Sequence, residues 1–584
     1  LPVALFIRCC WSMLGPKVFG ISSLQARWQA AGKGAMPIIA FLLLLWLALW
    51  NSQEKRWKVV MDEPVLAATA LSMHEDRQAS YAVNGFWING EYISSTFAID
   101  KRPMLFPFLV SIVHDMVGYD PANPARLNGA LLFMFLALLY ALGTRLAPPY
   151  GGYSACMLLA TVPLLPAVAT SGIFDLLNLL LIGLLTLAAC LYLRSPSGKT
   201  LNLLLLTAVL LAHTRYESVL FAIPVGALVV YSWWREKQIQ ITTTMIFVPL
   251  FYLPFLLQRK IIEQSAANWH FRQGAEEAFS PDYLGMNLAS AWRFLWGSDS
   301  IMWNSLLLTV LSAMALVYLT YWYVRKEGLC RGNIRTTAVL ISVGSVILFN
   351  LALLMFYPWG QLDDMVASRL ALPGLFLQLI LVLAAVGFAG GRKRLQQALI
   401  VLTGLFFLAQ ARPAMARNQV FTESVPRSYA EEVLDFSWRQ AQKGDLVLAL
   451  NSLPAYLGRA STLGIEDALQ QLDRVVLHQR LGTFSRIFVI YMETTPMMRS
   501  DAPEPMRRYT ETASKIRASF DLSILERTRV NDALYLVKAE VKGVSEEAYT
   551  PLEIEFGSVA VDQMWKISTE NEEAWDKFTR SLPQ

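Results

Sequence analysis

Residues 36–63 read MPIIAFLLLLWLALWNSQEKRWKVVMDE. Met36–Trp50 carries no charged side chain, the run then turns polar, and it closes on the acidic pair Asp62-Glu63. Apolar runs of roughly 20 residues are what a bilayer-crossing helix requires. Carboxylates beside lipid are expensive and are usually kept for function. This stretch decides the fold class: a helical chain written for a membrane, with chemistry expected at one of its faces.

Composition agrees. Of 584 residues, 55% are hydrophobic and 16% charged, against about 25% charged in soluble domains. The net charge of +5 is modest and its bases fall in short loops, so no nucleic-acid partner is expected. Five cysteines (Cys9, Cys10, Cys156, Cys190, Cys330) show no CxxC spacing and predict neither a metal site nor disulfides.

Apolar runs near 36–50, 126–145, 152–171, 174–193, 200–213, 217–234, 241–257, 301–324, 336–356, 370–390 and 395–411 predict about eleven transmembrane helices. Residues 1–35 hold bases and no acid and read as a cytoplasmic tail. With the N-terminus inside, Arg145, Arg194, Lys199, Arg235, Lys237 and Arg392-Lys393-Arg394 fall on the cytoplasmic side, as the positive-inside rule favours. The opposite face then collects Asp62, Glu63, Lys101, Arg102, Asp175, Arg215, Glu217, Asp363, Asp364 and Arg369. The long outer loops are 51–125 and 258–300, inside a membrane domain spanning 36–411.

From Arg412 onward the composition is that of a soluble domain, 412–584, placed outside the membrane. Apolar runs at 445–450 (DLVLAL), 487–491 (IFVIY) and 533–538 (ALYLVK) predict buried strands. Helical patterns intervene near 429–442, 465–472 and 505–519, which together suggest a small α/β domain.

Several residues have an ordinary explanation beside a functional one. Asp62-Glu63 can simply end a helix, and Asp175, in Ser171-Gly-Ile-Phe-Asp-Leu-Leu-Asn178, can cap one. Lys101, Arg102, Arg215 and Arg369 can be interfacial side chains reaching for water. Yet bases on the non-cytoplasmic side run against the usual bias and invite an anion, for which a lipid phosphate gripped by Arg is the natural candidate. Asp363-Asp364 leaves room for a divalent ion, although pairing with Arg369 or exposure to water is the expected state. Trp269, His270 and Arg272 form a candidate substrate loop, their aromatic rings suited to a sugar or to an interfacial belt. The histidines lack ligand spacing and read as structural.

The order of these features resembles GT-C glycosyltransferases of the protein O-mannosyltransferase and aminoarabinose-transferase type. The likeness lies in an acidic pair after the first span, then Lys101-Arg-Pro-Met-Leu-Phe-Pro, then Arg126 opening the second span. Asp175, Thr214-Arg215-Tyr216-Glu217 before Pro224, and Ser368-Arg369-Leu-Ala-Leu-Pro373 continue the order. Lys-Arg-Pro stands where the family more often has Lys-Pro-Pro, and Pro64 follows the acidic pair where a small residue is commoner. The resemblance spans roughly residues 36–411. It implies inverting transfer from a polyprenyl-phosphate-linked sugar to a glycan, lipid or protein acceptor in a bacterial inner membrane. It further implies Asp62 as general base, Glu63 and Asp175 orienting hydroxyls, and Lys101, Arg102, Arg215 and Arg369 holding the donor phosphate. A competing class is a multispan lipid or solute transporter. The chain shows no repeat between its halves, and its charges sit at one face instead of along a path.

Overall fold

The computed structural model describes residues 2–8, 24–88, 90–264, 277–298, 303–325, 334–421, 425–495 and 504–545. It divides into two compact units. The first comprises Leu1–Lys58, Lys101–Phe106 and Ala122–Thr422; the second comprises Val59–Asp100, Pro107–Pro121 and Glu423–Gln584.

The first unit is helical and makes the chain a multi-pass membrane protein. Among the described residues, eight helices are long and apolar enough to cross a bilayer: Asn123–Leu146, Asp175–Arg194, Tyr216–Glu236, Thr243–Ile262, Leu306–Tyr323, Thr337–Met355, Val366–Phe388 and Lys393–Arg417. Three of the eleven expected spans fall in shorter helices. The first is Ala35–Trp50, the apolar part of a helix that begins at Leu24. The run 152–171 breaks at Pro163 into Gly151–Ala160 and Leu164–Ala169, because proline lacks the N–H of the helical ladder and constrains the residue before it. The run 200–213 is Gly198–Ala212, started by a capping box in which Ser197 and Thr200 satisfy each other's backbone N–H groups. The last span extends past the expected boundary at Arg412, to Arg417.

Asp175–Arg194 is the centre of this bundle. Of its most apolar stretch 78% is buried by neighbouring helices, against 17% for Thr243–Ile262, whose side chains face outward. Close helix contact is made possible by glycine: Gly143 lies against the backbone of Gly151, leaving no room for a Cβ at either position.

The second unit is built on a seven-stranded sheet. Its strands are β1 (Tyr81–Ile88), β2 (Glu91–Ala98), β3 (Leu446–Ala449), β4 (Ser461–Gly464), β5 (Ile487–Thr494), β6 (Phe520–Arg529) and β7 (Leu534–Val544), in the order β2-β1-β4-β3-β5-β7-β6. β4, β3 and β5 are parallel, and the flanking pairs are antiparallel. The expected strand runs fall on β3, β5 and β7, each apolar because both sheet faces are covered. One face packs on helix Val425–Arg439 and the other on helices including Glu504–Ser519. The first outer loop, expected as part of the membrane domain, instead supplies β1 and β2 to this sheet, where Gly85 pairs with Thr462.

Candidate functional site

In the first unit the expected acid Asp175 and the bases Arg215 and Arg369 come together. Asp175 opens helix Asp175–Arg194, whose N-cap position is Phe174 without a side-chain cap. The Asp175 carboxylate does not cap the helix; it accepts from two guanidinium groups. Arg215 Nη1 donates to Oδ1, and Arg369 Nη1 lies 3.3 Å from Oδ2. Arg215 Nε also contacts Glu217 Oε1 at 2.5 Å, and its guanidinium stands over the Phe174 ring at 5.4 Å. Asp175 and both arginines are nearly buried, while Glu217 is about a third exposed, at 31%.

Sequence places each member. Arg215 immediately precedes the span Tyr216–Glu236, and Arg369 lies in the first turn of Val366–Phe388. Their meeting at Asp175 therefore joins the N-terminal ends of three spans, where the helix dipoles are positive and favour an anion. The charges of the cluster are two acids and two bases. A carboxylate that accepts from two guanidinium groups fixes where both of them point, so Asp175 anchors the two arginines.

Two asparagines that sequence reading passed over hold the frame. Asn178 Oδ1 accepts from Thr214 Oγ1 at 2.8 Å and Ser218 Oγ at 2.7 Å, fixing the turn that carries Arg215 from both sides. Asn128 Nδ2 donates to the carbonyls of Ser171 at 2.7 Å and Ile173 at 2.8 Å, fixing the turn that leads into Asp175. An asparagine three residues after an acid in an otherwise leucine-rich run was the available signal, since uncompensated polar groups are rare there.

Lys101 and Arg102 are half-buried in a segment tied to the same turn: Leu105 N donates to His213 O at 3.2 Å. Gln258 Nε2 donates to the Arg102 carbonyl at 2.7 Å, and Arg102 lies within electrostatic range of Tyr216. Asp364 is exposed to water, one of the two expected states, whereas Asp363 has a partner other than Arg369. Asp363 pairs with Arg293, 2.6 Å from Nη2, and accepts from Ser290 Oγ. Burial alone would raise its carboxyl, but the Ser290 and Arg293 hydrogen bonds hold it below the usual range. Asp364 caps the short helix Met365–Ser368 through Val366 N at 2.8 Å. Arg369 is engaged by Asp175, not by this pair. Among the described residues no three acidic, histidine or cysteine side chains converge as metal ligands.

Trp269, His270 and Arg272 lie outside the described residues. In the described part of the same outer loop, helix Leu284–Trp296 exposes Trp292 and Trp296, their rings 5.6 Å apart, as an interfacial belt would.

Asp62 and Glu63 belong to the second unit. Asp62 occupies the N-cap position of helix Glu63–Glu75, but its side chain does not cap it. Glu63 turns back and accepts from Val59 N at 2.7 Å. Both are buried, at 6% and 1% exposure. The pair therefore splits: Glu63 braces its own turn, and the helix-ending explanation does not account for the Asp62 carboxylate.

No protein-family model matches the chain, and comparison with curated proteins finds no match. Among solved structures it is similar to ArnT from Cupriavidus metallidurans bound to undecaprenyl phosphate, at 12% identity and a TM-score of 0.46, over 89% of this chain and all of that one. It is similar also to ArnT from the same organism in the apo state, at 11% identity and a TM-score of 0.44, over 87% and 98% of the two chains.

Proposed function

We propose that this protein is an inverting GT-C-type glycosyltransferase of the bacterial inner membrane. It moves a hexosyl or pentosyl group from a polyprenyl-phosphate donor to an acceptor hydroxyl on the outer face. The observation that carries this reading is the buried Arg215–Asp175–Arg369 arrangement at the N-terminal ends of three spans. Two aimed guanidinium groups at the edge of a bilayer suit a phosphate whose lipid chain stays in the membrane.

The proposed topology has eleven crossings, a cytoplasmic N-terminus and the seven-stranded unit in the periplasm. It is supported by the bases at the other ends of the same spans: Arg194, Arg235, Lys237 and Arg392-Lys393-Arg394.

In the reaction the acceptor oxygen attacks the anomeric carbon from the face opposite the phosphate, and the bond from that carbon to the phosphate oxygen breaks. The acceptor proton passes to the Asp62 carboxylate, and the polyprenyl phosphate leaves with one additional negative charge. Arg215 and Arg369 take up that charge, with Lys101 and Arg102 as further donors. A phosphate leaves without needing protonation, so one base is sufficient. Glu63 braces the turn that presents Asp62.

The test is equilibrium binding of a polyprenyl phosphate to the detergent-purified protein. Arg215→Ala and Arg369→Ala are expected to weaken it by roughly tenfold or more each, as loss of a charge-assisted pair implies. Unchanged affinity in both variants contradicts the reading.

A further inference from the structure

The second unit contains a cavity of about 270 Å³ that the proposed chemistry does not use. It sits beyond the carboxyl ends of the parallel strands. Leu450 and Asn451 follow β3 directly, Glu466 lies just past β4, and Arg508, Tyr509 and Thr512 lie on the helix Glu504–Ser519 that comes after β5. Tyr429, on helix Val425–Arg439, closes the opposite side.

The topology explains why a cavity forms there. From β3 the chain moves to β4 on one side, then crosses back to β5 on the other. Helix Val425–Arg439 packs on one face of the sheet through Tyr429, Val433 and Phe436, and helix Glu504–Ser519 packs on the other through Ala513 and Ile516. Where strand order reverses in this way, the connections diverge and leave a crevice outside the strand ends, the usual ligand position in open α/β sheets.

Its lining defines the chemistry. One carboxylate (Glu466), one guanidinium (Arg508), an amide (Asn451) and a hydroxyl (Thr512) surround two phenol rings. Tyr429 is already committed: its hydroxyl donates to Ile490 O and accepts from Leu450 N, both at 2.7 Å, so the ring is a fixed wall. Asn451 Oδ1 accepts from Leu453 N at 3.1 Å, which sets the amide at the strand end. Acid and base balance, and no glycine-rich phosphate loop follows β3. This favours a neutral ligand rich in hydroxyls over a phosphate or nucleotide. The volume is on the order of nine water molecules, below the 300–1,000 Å³ common for drug-sized ligands. A single sugar ring matches both the size and the mixture of donors, acceptors and aromatic wall.

We infer that this crevice is a binding site for one neutral sugar residue, separate from the arginine cluster of the membrane unit. It stands independently of the transferase reading, because it rests on the sheet and not on the spans.

The experiment is ligand-observed NMR on the full-length, detergent-purified protein with methyl glycosides of glucose, galactose, mannose, N-acetylglucosamine and arabinose, and with inorganic phosphate. Saturation transfer to at least one glycoside is expected. Loss of roughly tenfold in affinity is expected in Glu466→Gln and Arg508→Ala, both at exposed positions. Thr512→Trp, which fills the cavity, is expected to abolish binding, and all three variants should keep the wild-type melting temperature. No binding by any glycoside, binding of phosphate alone, or glycoside binding unaffected by the three substitutions overturns the proposal. A wild-type protein that binds a glycoside in this way but binds no polyprenyl phosphate would instead count against the transferase reading alone.

Discussion

Arg369 reaches Asp175 across 194 residues of sequence, Nη1 to Oδ2 at 3.3 Å, and shares that carboxylate with Arg215. One buried acid thereby orders two bases contributed by different spans. Removing it takes the shared carboxylate from both buried guanidinium groups, and Arg215 keeps only the partly exposed Glu217 of this pair of acids. Asp175→Ala is expected to cost about 3–5 kcal/mol of stability, the usual consequence of breaking a buried ion pair from one side. Thermal unfolding in detergent checks this; a melting temperature unchanged from wild type contradicts it.

The proposed reaction uses arginine in these positions for its planar, multi-donor head group. Arg215 already divides its donors between Asp175 and Glu217, which a lysine ammonium cannot do with the same geometry. Arg215→Lys and Arg369→Lys are expected to retain folding and lower kcat for sugar transfer on the order of 100-fold, as loss of a preorganised charge donor does. Kinetics with a polyprenyl-phosphate-linked sugar decide it. Near-wild-type kcat in both variants would remove the arginines from the reaction.

The neighbouring carboxylates Asp62 and Glu63 should separate by readout. Glu63 accepts a buried backbone N–H, so Glu63→Ala is expected to destabilise the protein by about 1.5–3 kcal/mol. Asp62→Asn keeps the shape of the side chain and is expected to leave the melting temperature in place. Equal losses of stability in the two variants contradict this division.

Acid should weaken the second unit through its histidines. Burial, with Arg474 adding to it, lowers His478 to about 4, and burial with His74 lowers His114 to about 4. The unfolded chain takes up these protons near pH 6.5 and the folded chain does not. Stability is therefore lost as pH falls from about 6.5 toward 4, and none is lost to these groups above that window. Melting temperatures from pH 7.5 to 4.5 test this, and His478→Gln is expected to flatten the slope. An unchanged slope in that variant excludes His478 as a cause.

The sequence made some of this legible and hid the rest for physical reasons. Asp175, Arg215 and Arg369 stand out because charge within apolar runs is rare, but that they pair with one another depends on which span ends meet. Asp363 looked like a partner for Arg369, yet tertiary packing gave it Arg293 and Ser290. β3, β5 and β7 were readable as continuous apolar runs covered on both faces. β6 was not, because it is an edge strand whose side chains are mostly exposed, and β4 (Ser-Thr-Leu-Gly) holds a single large apolar residue where β3, of the same length, is apolar throughout. The joining of β1 to β4, Gly85 to Thr462, has no local signature, since nothing in either segment points to a partner so far along the chain.

The most direct test of the central claim is sugar transfer itself. Purified protein is given a panel of polyprenyl-phosphate-linked sugars with candidate glycan, lipid and protein acceptors, and release of polyprenyl phosphate is followed with product formation. The account predicts matched release and transfer for at least one donor in the wild type, and neither in Asp62→Asn at an unchanged melting temperature. Transfer at the wild-type rate in Asp62→Asn, or no turnover of any donor by folded wild-type protein, would contradict it.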